Sequence, residues 1–253
     1  MQDLSHDRPM PWRVHLAELR RRIIVSFVVI LAMTLVAFLL TPTLFRLLKP
    51  EGLDFHAFAP TDTLTAVLKL AFGFGLFLSL PFLLYQIWAF VRPGLTEQEA
   101  RAALRLIPLS FLFFVLGLIF AYAVVFPALL HWMTKLNAFL GLKLVLGVQA
   151  YLTLLMHVLL PVAFLFELPL ILFFFAAIGL LTPERLRTMR PYAYFALIVG
   201  SWLFVPGDWV TLFLLIGPLL LLYELSALFI RIAFRRRRAM MAEADDPDGG
   251  PRA

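Results

Sequence analysis

The sequence contains no cysteine among its 253 residues. This absence excludes disulfide bridges, thiolate nucleophiles and thiolate metal ligands. Charged residues are also scarce, at 15%, whereas hydrophobic residues make up 62% and the mean hydropathy is +0.91. A soluble domain has about 25% charged residues, so this composition excludes an ordinary water-exposed surface. The chain is therefore predicted to be an integral membrane protein.

Several sequence patterns that would indicate other classes are missing. Polarity does not alternate over segments of about ten residues, as it does in outer-membrane barrels, so an all-α membrane protein is favoured. The chain also lacks a phosphate-binding loop, a Gly-x-Ser-x-Gly elbow, a His-Glu-x-x-His motif and paired carboxylates within one span. We therefore expect no enzyme activity, no cofactor, no metal site and no catalytic residue.

Six apolar segments are candidates for membrane-spanning helices, which need about 20 residues to cross the hydrocarbon core. The fifth, between Pro191 and Pro206, is only about 21 Å long at 1.5 Å per residue. The fourth is longer than necessary, and Pro161 and Pro169 predict that it tilts or kinks. Short and bent helices favour a concave assembly with two short C-terminal helices. The predicted spans are 23–40, 66–91, 106–126, 151–181, 192–205 and 210–230.

The distribution of lysine and arginine predicts the orientation of these spans. Of the 22 basic residues, 17 fall on the side that holds both termini and four on the other side. This asymmetry predicts cytoplasmic termini and accounts for the sequence pI near 10.0 without nucleic acid. No cleavage site follows the first apolar segment, so we expect the N-terminal arm to be retained. Residues 1–230 are predicted to form one membrane domain, followed by a basic, then acidic, partly disordered tail over 231–253.

Glu167 is the most unusual residue, because it lies near the middle of the fourth predicted span. A carboxylate there costs on the order of 3 kcal/mol, so such residues are candidates for function. One interpretation is a protonated side chain that binds a neighbouring helix as structural glue. The others are a contact with a polar group on a partner helix, or proton transfer. His157 in the same span is predicted to be a hydrogen-bonded core residue.

Two acidic residues are expected at the cytoplasmic surface. Thr96 and Glu99 fit a capping box that starts the third spanning helix. Glu18 precedes a run of arginines and could pair with Arg21 or Arg22 on the same helix. Both carboxylates could instead receive arginines of a partner in bidentate geometry.

Six motifs follow one another between about residues 15 and 230. They are His15-Leu16-Ala17-Glu18-Leu19-Arg20-Arg21-Arg22, Pro81-Phe82-Leu83-Leu84-Tyr85-Gln86-Ile87-Trp88-Ala89-Phe90-Val91-Arg92-Pro93-Gly94-Leu95 with Glu99, Phe166-Glu167-Leu168-Pro169, Arg190-Pro191-Tyr192, Pro206 with Asp208, and Leu222-Tyr223-Glu224. Together they resemble the signatures of the TatC family, the multispanning subunit of the twin-arginine protein translocase.

The resemblance implies a six-span, glove-shaped receptor in the bacterial plasma membrane with cytoplasmic termini. Such a receptor recognises twin-arginine signal peptides on folded precursors. It recruits the small single-span subunits TatA and TatB into an oligomeric complex, and transport is driven by the proton gradient.

The resemblance also implies roles for individual residues. Glu18, Arg20, Phe90 and Glu99 would bind the signal peptide, and Glu167 would contact polar groups on partner helices. The fifth and sixth spans would form a docking face for a partner. The sequence departs from the family before the fourth span, where an acidic residue is common. No Asp or Glu occurs here between Glu99 and Glu167.

Two other classes of function remain as alternatives. A proton-coupled small-solute transporter could use Glu167 as its proton relay, although no internal repeat supports a transporter with inverted symmetry. A membrane-embedded enzyme is the third hypothesis, and it is weakened by the lack of a nucleophile positioned beside a base.

Overall fold

The structure is a computed structural model that describes residues 12–49, 55–142, 145–177, 181–204 and 209–245. Regular structure within these ranges is helical, apart from one β-bridge between His56 and Gly147, which confirms the all-α fold class. The helices are α1 (Trp12–Leu39), α2 (Thr41–Leu48), α3 (Pro60–Val91), α4 (Glu97–Phe120), α5 (Phe126–Phe139), α6 (Val148–Leu165), α7 (Leu168–Ala177), α8 (Pro183–Phe204) and α9 (Trp209–Asp245).

Five helical segments in the described part of the chain are long and apolar enough to cross a membrane. They correspond to the first, second, third, fourth and sixth predicted spans. The fifth predicted span lies mostly within α8, which begins with charged residues and offers too short an apolar stretch. A total of six spans therefore stays a prediction. The five segments are Leu16–Leu39, Pro60–Gly94, Glu99–Phe139, Val148–Ala176 and Trp209–Leu228.

The third and fourth spans differ in how they bend. The third runs without a break from α4 through a π-helical turn at Ala121–Val125 into α5, well beyond the predicted 106–126. The fourth is interrupted at Phe166 and Glu167, between α6 and α7. Pro169 lacks the N–H that would continue the helix, so the predicted kink is confirmed and has its cause in this proline.

The predicted C-terminal tail begins inside a helix. Helix α9 continues to Asp245, so the basic stretch from Arg231 onwards continues the helix that contains the last span, Trp209–Leu228. Residues 246–253 lie outside the described residues, and a partly disordered tail stays a prediction. The same holds for a single membrane domain over 1–230. Contacts divide the chain into two compact units, which are described separately below.

The first unit comprises Met1–Ile107 and Gly147–Leu152. Its main contact is between α1 and α3, whose backbones approach closely at Gly75. A Cβ atom added there would lie 2.6 Å from the backbone nitrogen of Thr34, so only glycine allows this packing. The Tyr151 hydroxyl donates a hydrogen bond of 3.0 Å to the carbonyl of Leu48, which fixes the end of α2. A hydrogen bond from Arg22 to Gln86 places the N-terminal half of α1 against the C-terminal half of α3.

The second unit comprises Pro108–Leu146 and Thr153–Ala253. Here α4 packs on α6 through a face that recurs at helical spacing: Ser110, Phe114, Gly117 and Ala121 are all buried. A Cβ atom at Gly117 would lie 2.8 Å from the Cα of Ala163, so the two helices touch through their backbones. This close approach brings the polar side chain at position 110 to the break between α6 and α7.

Candidate functional site

The acidic residue at the start of α1 is bound by an arginine of the same helix. Glu18 and Arg22 are four residues apart and therefore lie on one helix face. The Nε atom of Arg22 donates to Oε1 of Glu18 at 3.0 Å, and its Nη2 atom reaches the same oxygen. Both side chains are about one quarter exposed, at 24% and 23%. The predicted pairing of Glu18 is thus confirmed for Arg22.

Arg22 also connects α1 to α3. Its Nη1 atom donates to the side-chain oxygen of Gln86 at 3.0 Å, across 64 residues of sequence. The guanidinium therefore bridges a carboxylate on its own helix and an amide on the neighbouring one. Arg20 and Arg21, by contrast, are exposed. Sequence analysis did not single out Gln86, although it lies within the motif of residues 81–95.

The end of α3 is joined to the start of α4 by Trp88. Its indole N–H donates to the carbonyl of Ala100 at 2.9 Å. The guanidinium carbon of Arg92 lies 5.4 Å from the centroid of the Trp88 ring, within range of a cation–π contact. Phe90, between these two residues, is partly buried. Trp88 therefore holds the short connection between α3 and α4 in place, and this role was not predicted.

Glu99 is held at the start of α4 by the predicted capping box. The backbone N–H of Thr96 donates to Oε2 of Glu99 at 2.9 Å, and the N–H of Glu99 donates to Oγ1 of Thr96 at 3.4 Å. Both halves of the box are present, so the prediction is confirmed. A separate pair, Arg101 and Glu97, is 75% and 83% exposed and lies 2.7 Å apart.

The four residues predicted to bind a signal peptide, Glu18, Arg20, Phe90 and Glu99, are called the first site below. All four belong to the first unit. Arg22 ties the start of α1 to α3, and Trp88 ties the end of α3 to α4 beside Glu99. The site offers two carboxylates, each held by protein hydrogen bonds and neither fully buried. Such groups suit guanidinium binding, since arginine matches a carboxylate with two parallel hydrogen bonds.

Glu167 and Ser110 form the second site, which lies in the second unit. Each is only 5% exposed. The Ser110 hydroxyl donates to Oε2 of Glu167 across 57 residues of sequence. The other carboxylate oxygen, Oε1, is buried and has no hydrogen-bond partner among the described residues. Buried polar atoms are usually paired, so Oε1 requires a donor that this chain does not supply in its described part.

The break between α6 and α7 explains why Glu167 can face α4. Its backbone N–H bonds to the carbonyl of Phe164 at 3.1 Å, three residues back, which tightens the turn. The Phe166 ring packs against Phe120 with centroids 5.4 Å apart. A continuous helix would keep the ordinary turn at this point. The kink therefore sets the direction of the carboxylate.

Two further motifs meet where α8 packs on α9. Arg190 donates through Nη2 to Oε2 of Glu224 at 2.8 Å, and the Tyr194 hydroxyl donates to the other carboxylate oxygen. The Tyr223 hydroxyl donates to the carbonyl of Leu186 at 3.3 Å. Sequence analysis named Arg190 and Glu224 as parts of two motifs but did not predict that they meet. The structure shows that motifs 190–192 and 222–224 join the helix pair.

Replacing Glu224 by leucine is expected to destabilise the chain by about 1–3 kcal/mol, because the guanidinium of Arg190 loses its carboxylate in a partly buried place. Thermal unfolding in detergent measures this loss. A double variant with Arg190→Leu should recover part of the stability, since no unpaired charge remains. If both single variants and the double variant melt like the wild type, the ion pair does not stabilise α8 on α9.

His157 is placed differently from its prediction. Its Nδ1 atom lies 2.9 Å from the carbonyl of Thr153, so a hydrogen bond is present. However, the side chain is exposed, and the prediction of a core position is wrong. The buried face of α6 passes through Leu155, Val158 and Val162 instead. Pro206 and Asp208 lie outside the described residues.

The chain is similar to known proteins over most of its length. Residues 14–218 match the family model of the Sec-independent protein translocase protein (TatC). The TatC protein of Halalkalibacterium halodurans is 36% identical over 235 residues, which cover 91% of this chain and 93% of the relative. TatCy of Bacillus subtilis is 35% identical over 240 residues, covering 93% and 94%.

The fold is also similar to solved structures. A crystal structure of the twin arginine translocase receptor TatC superposes with a TM-score of 0.72 at 32% identity, covering 87% of this chain and 99% of that one. A crystal structure of this receptor in DDM gives a TM-score of 0.74 at 32% identity, covering 85% and 98%. Sequence and fold therefore point to the same family.

Proposed function

Because the chain belongs to the TatC family of Sec-independent protein translocase proteins, we propose that it is the signal-peptide receptor and core subunit of its translocase. Its cargo is folded precursors whose signal peptides carry a pair of arginines, and export is driven by the proton gradient. The chain lies in the bacterial plasma membrane with both termini in the cytoplasm, where precursors first meet it.

The first site receives the arginine pair. Glu18 and Glu99 accept the two guanidinium groups, and each contact gains from the charge-assisted, bidentate geometry that arginine allows. The observation that carries this proposal is the linkage of the starts of α1 and α4 to one helix, α3, through Arg22 and Trp88. Two carboxylates held on connected helix ends can bind two neighbouring cations of one peptide.

Arg20 and Phe90 complete the binding surface. Arg20 is exposed and supplies donors for carbonyl oxygens of the peptide backbone. Phe90 is partly buried at the end of α3 and offers an apolar contact to the hydrophobic segment of a signal peptide. Neither residue carries the negative charge that attracts arginine. Their contribution is therefore to position the peptide after its arginines have bound.

The second site and the outer faces of α8 and α9 bind single-span subunits of the TatA and TatB type. The Oε1 atom of Glu167 has no hydrogen-bond partner in the described part of the chain, so it can accept a hydrogen bond from a polar side chain on a partner helix. Helix α8 leaves large apolar side chains exposed along one stripe, which suits packing against a second helix in an oligomeric complex. They include Tyr192, Phe195, Trp202 and Leu203.

Family membership decides against the alternative of a proton-coupled small-solute transporter. The family is one of protein translocase components, and no substrate cavity for a small solute is needed to account for the burial of Glu167. A membrane-embedded enzyme has no support either, since the named relatives are translocase proteins.

A peptide-binding measurement tests the proposed receptor function. The purified chain in lipid nanodiscs should bind a fluorescent twin-arginine signal peptide at least about tenfold more tightly than the same peptide with two lysines. Both peptides carry equal charge, so the difference in affinity reports the bidentate hydrogen bonding of the arginine guanidinium. Equal affinities would contradict a receptor for paired arginines. Co-purification with single-span subunits tests the proposed partners.

A further inference from the structure

The carboxylate proposed to receive a signal-peptide arginine is already occupied by an arginine of this chain. Two nitrogens of Arg22 converge on Oε1 of Glu18, and the third nitrogen is bound to Gln86. An incoming guanidinium needs both oxygens of Glu18 for a bidentate contact. It therefore competes with Arg22 for Oε1. This inference rests on the proposed function of the first site.

The surroundings of Arg22 allow its guanidinium to leave Glu18 while it stays hydrogen-bonded to Gln86. Glu18 and Arg22 are about one quarter exposed, so water and a ligand can reach the pair. Gln86 accepts a hydrogen bond from Arg22 and carries no charge, so it keeps the guanidinium on α3 when Glu18 changes partner. An ion pair at spacing i, i+4 that water can reach is weak. That strength permits exchange under ordinary conditions.

We propose that Arg22 is an internal competitor that lowers the affinity of the first site for signal-peptide arginines. Some ligands bind only molecules in which Glu18 is not paired with Arg22. The affinity of such a ligand is its intrinsic affinity multiplied by the fraction of those molecules. The reduction applies to every peptide whose arginine takes both oxygens of Glu18. Arg22 thus weakens the contact made by the paired arginines, which helps a receptor to pass its precursor on.

Replacing Arg22 by glutamine should tighten binding of the twin-arginine peptide about two- to fivefold, the range that follows from a pair of this strength. The twin-lysine peptide should gain less, because an ammonium group can bind Oε2 of Glu18 while Arg22 keeps Oε1. The gain should appear in the association rate, because the released form of Glu18 becomes the only form. Fluorescence anisotropy and stopped-flow mixing in nanodiscs measure both quantities.

Three further variants separate exchange from simpler effects. Arg22→Lys keeps the charge but loses the fork, so it should tighten binding by a smaller factor than Arg22→Gln. Arg101→Gln removes the same charge from an exposed pair elsewhere in the first unit and should bind like the wild type. In a Glu18→Gln background, Arg22→Gln should have almost no further effect, since there is no carboxylate to release.

The outcomes distinguish this inference from the receptor function. If Glu18→Gln weakens binding while Arg22→Gln leaves it unchanged or weaker, the receptor function stands and internal competition is wrong. If Arg22→Gln and Arg101→Gln gain affinity for the peptide equally, the cause is the change in net charge, and the proposal is also overturned. If Glu18→Gln binds like the wild type, the assignment of Glu18 as a binding residue fails. Should Arg22→Gln not fold, Arg22→Lys decides by the same criteria.

Discussion

Replacing Glu167 by alanine is expected to reduce co-purification of single-span partner subunits about tenfold, with little loss of folded chain. Oε1 is buried without a donor among the residues that the structure describes, and an unsatisfied atom of this kind costs about 1–3 kcal/mol. Alanine removes that cost together with the Ser110 contact. Ser110 can then bond to a carbonyl of its own helix, as serines in helices commonly do. The chain alone therefore loses little stability, whereas the partner helix loses the oxygen that would accept its hydrogen bond.

Quantitative pull-down and size-exclusion chromatography in detergent measure partner binding and folded yield separately. Glu167→Gln keeps an acceptor oxygen and should lose less partner than Glu167→Ala. Ser226→Ala is a matched control, because its hydroxyl is buried and donates to the carbonyl of Leu222 of the same helix at 2.6 Å. It should bind the partner like the wild type. If Glu167→Ala lowers the yield of folded chain as much as partner binding, the interpretation as structural glue is correct.

Replacing Glu99 by glutamine is expected to weaken cross-linking to a twin-arginine signal peptide at least about tenfold while leaving membrane insertion intact. Glutamine serves at the third position of a capping box as well as glutamate does. The hydrogen bond from the N–H of Thr96 therefore survives, and α4 begins at the same residue. The substitution removes the negative charge alone. Site-specific photo-cross-linking in membranes measures the change.

Two controls separate charge from helix structure. Thr96→Val breaks the other half of the box, lowering stability by about 0.5–2 kcal/mol, but keeps the Glu99 carboxylate, so cross-linking should persist. Glu97→Gln removes a carboxylate two residues away that is 83% exposed and paired with Arg101. It should cross-link like the wild type. Unchanged cross-linking in Glu99→Gln would remove Glu99 from the binding surface.

Local features were predictable because they depend on neighbouring residues. The capping box of Thr96 and Glu99 lies within four residues and is present as predicted. Helical spacing limits the partner of Glu18 to Arg21 or Arg22, and the structure shows Arg22. The kink in the fourth span follows from Pro169, which cannot donate a backbone hydrogen bond. Each of these requires only that the segment be helical.

The long apolar runs by themselves determined the membrane class, the helical fold and five of the spans. Length and hydropathy suffice for this, because an apolar helix of about 20 residues can cross the hydrocarbon core whatever its neighbours are. Only the tertiary structure decided which polar side chains meet: Arg22 with Gln86, Ser110 with Glu167, and Arg190 with Glu224, across 64, 57 and 34 residues. Such pairs depend on how each helix is rotated about its axis. Backbone contacts at Gly75 and Gly117 set that rotation for the first two pairs, and hydropathy does not record it.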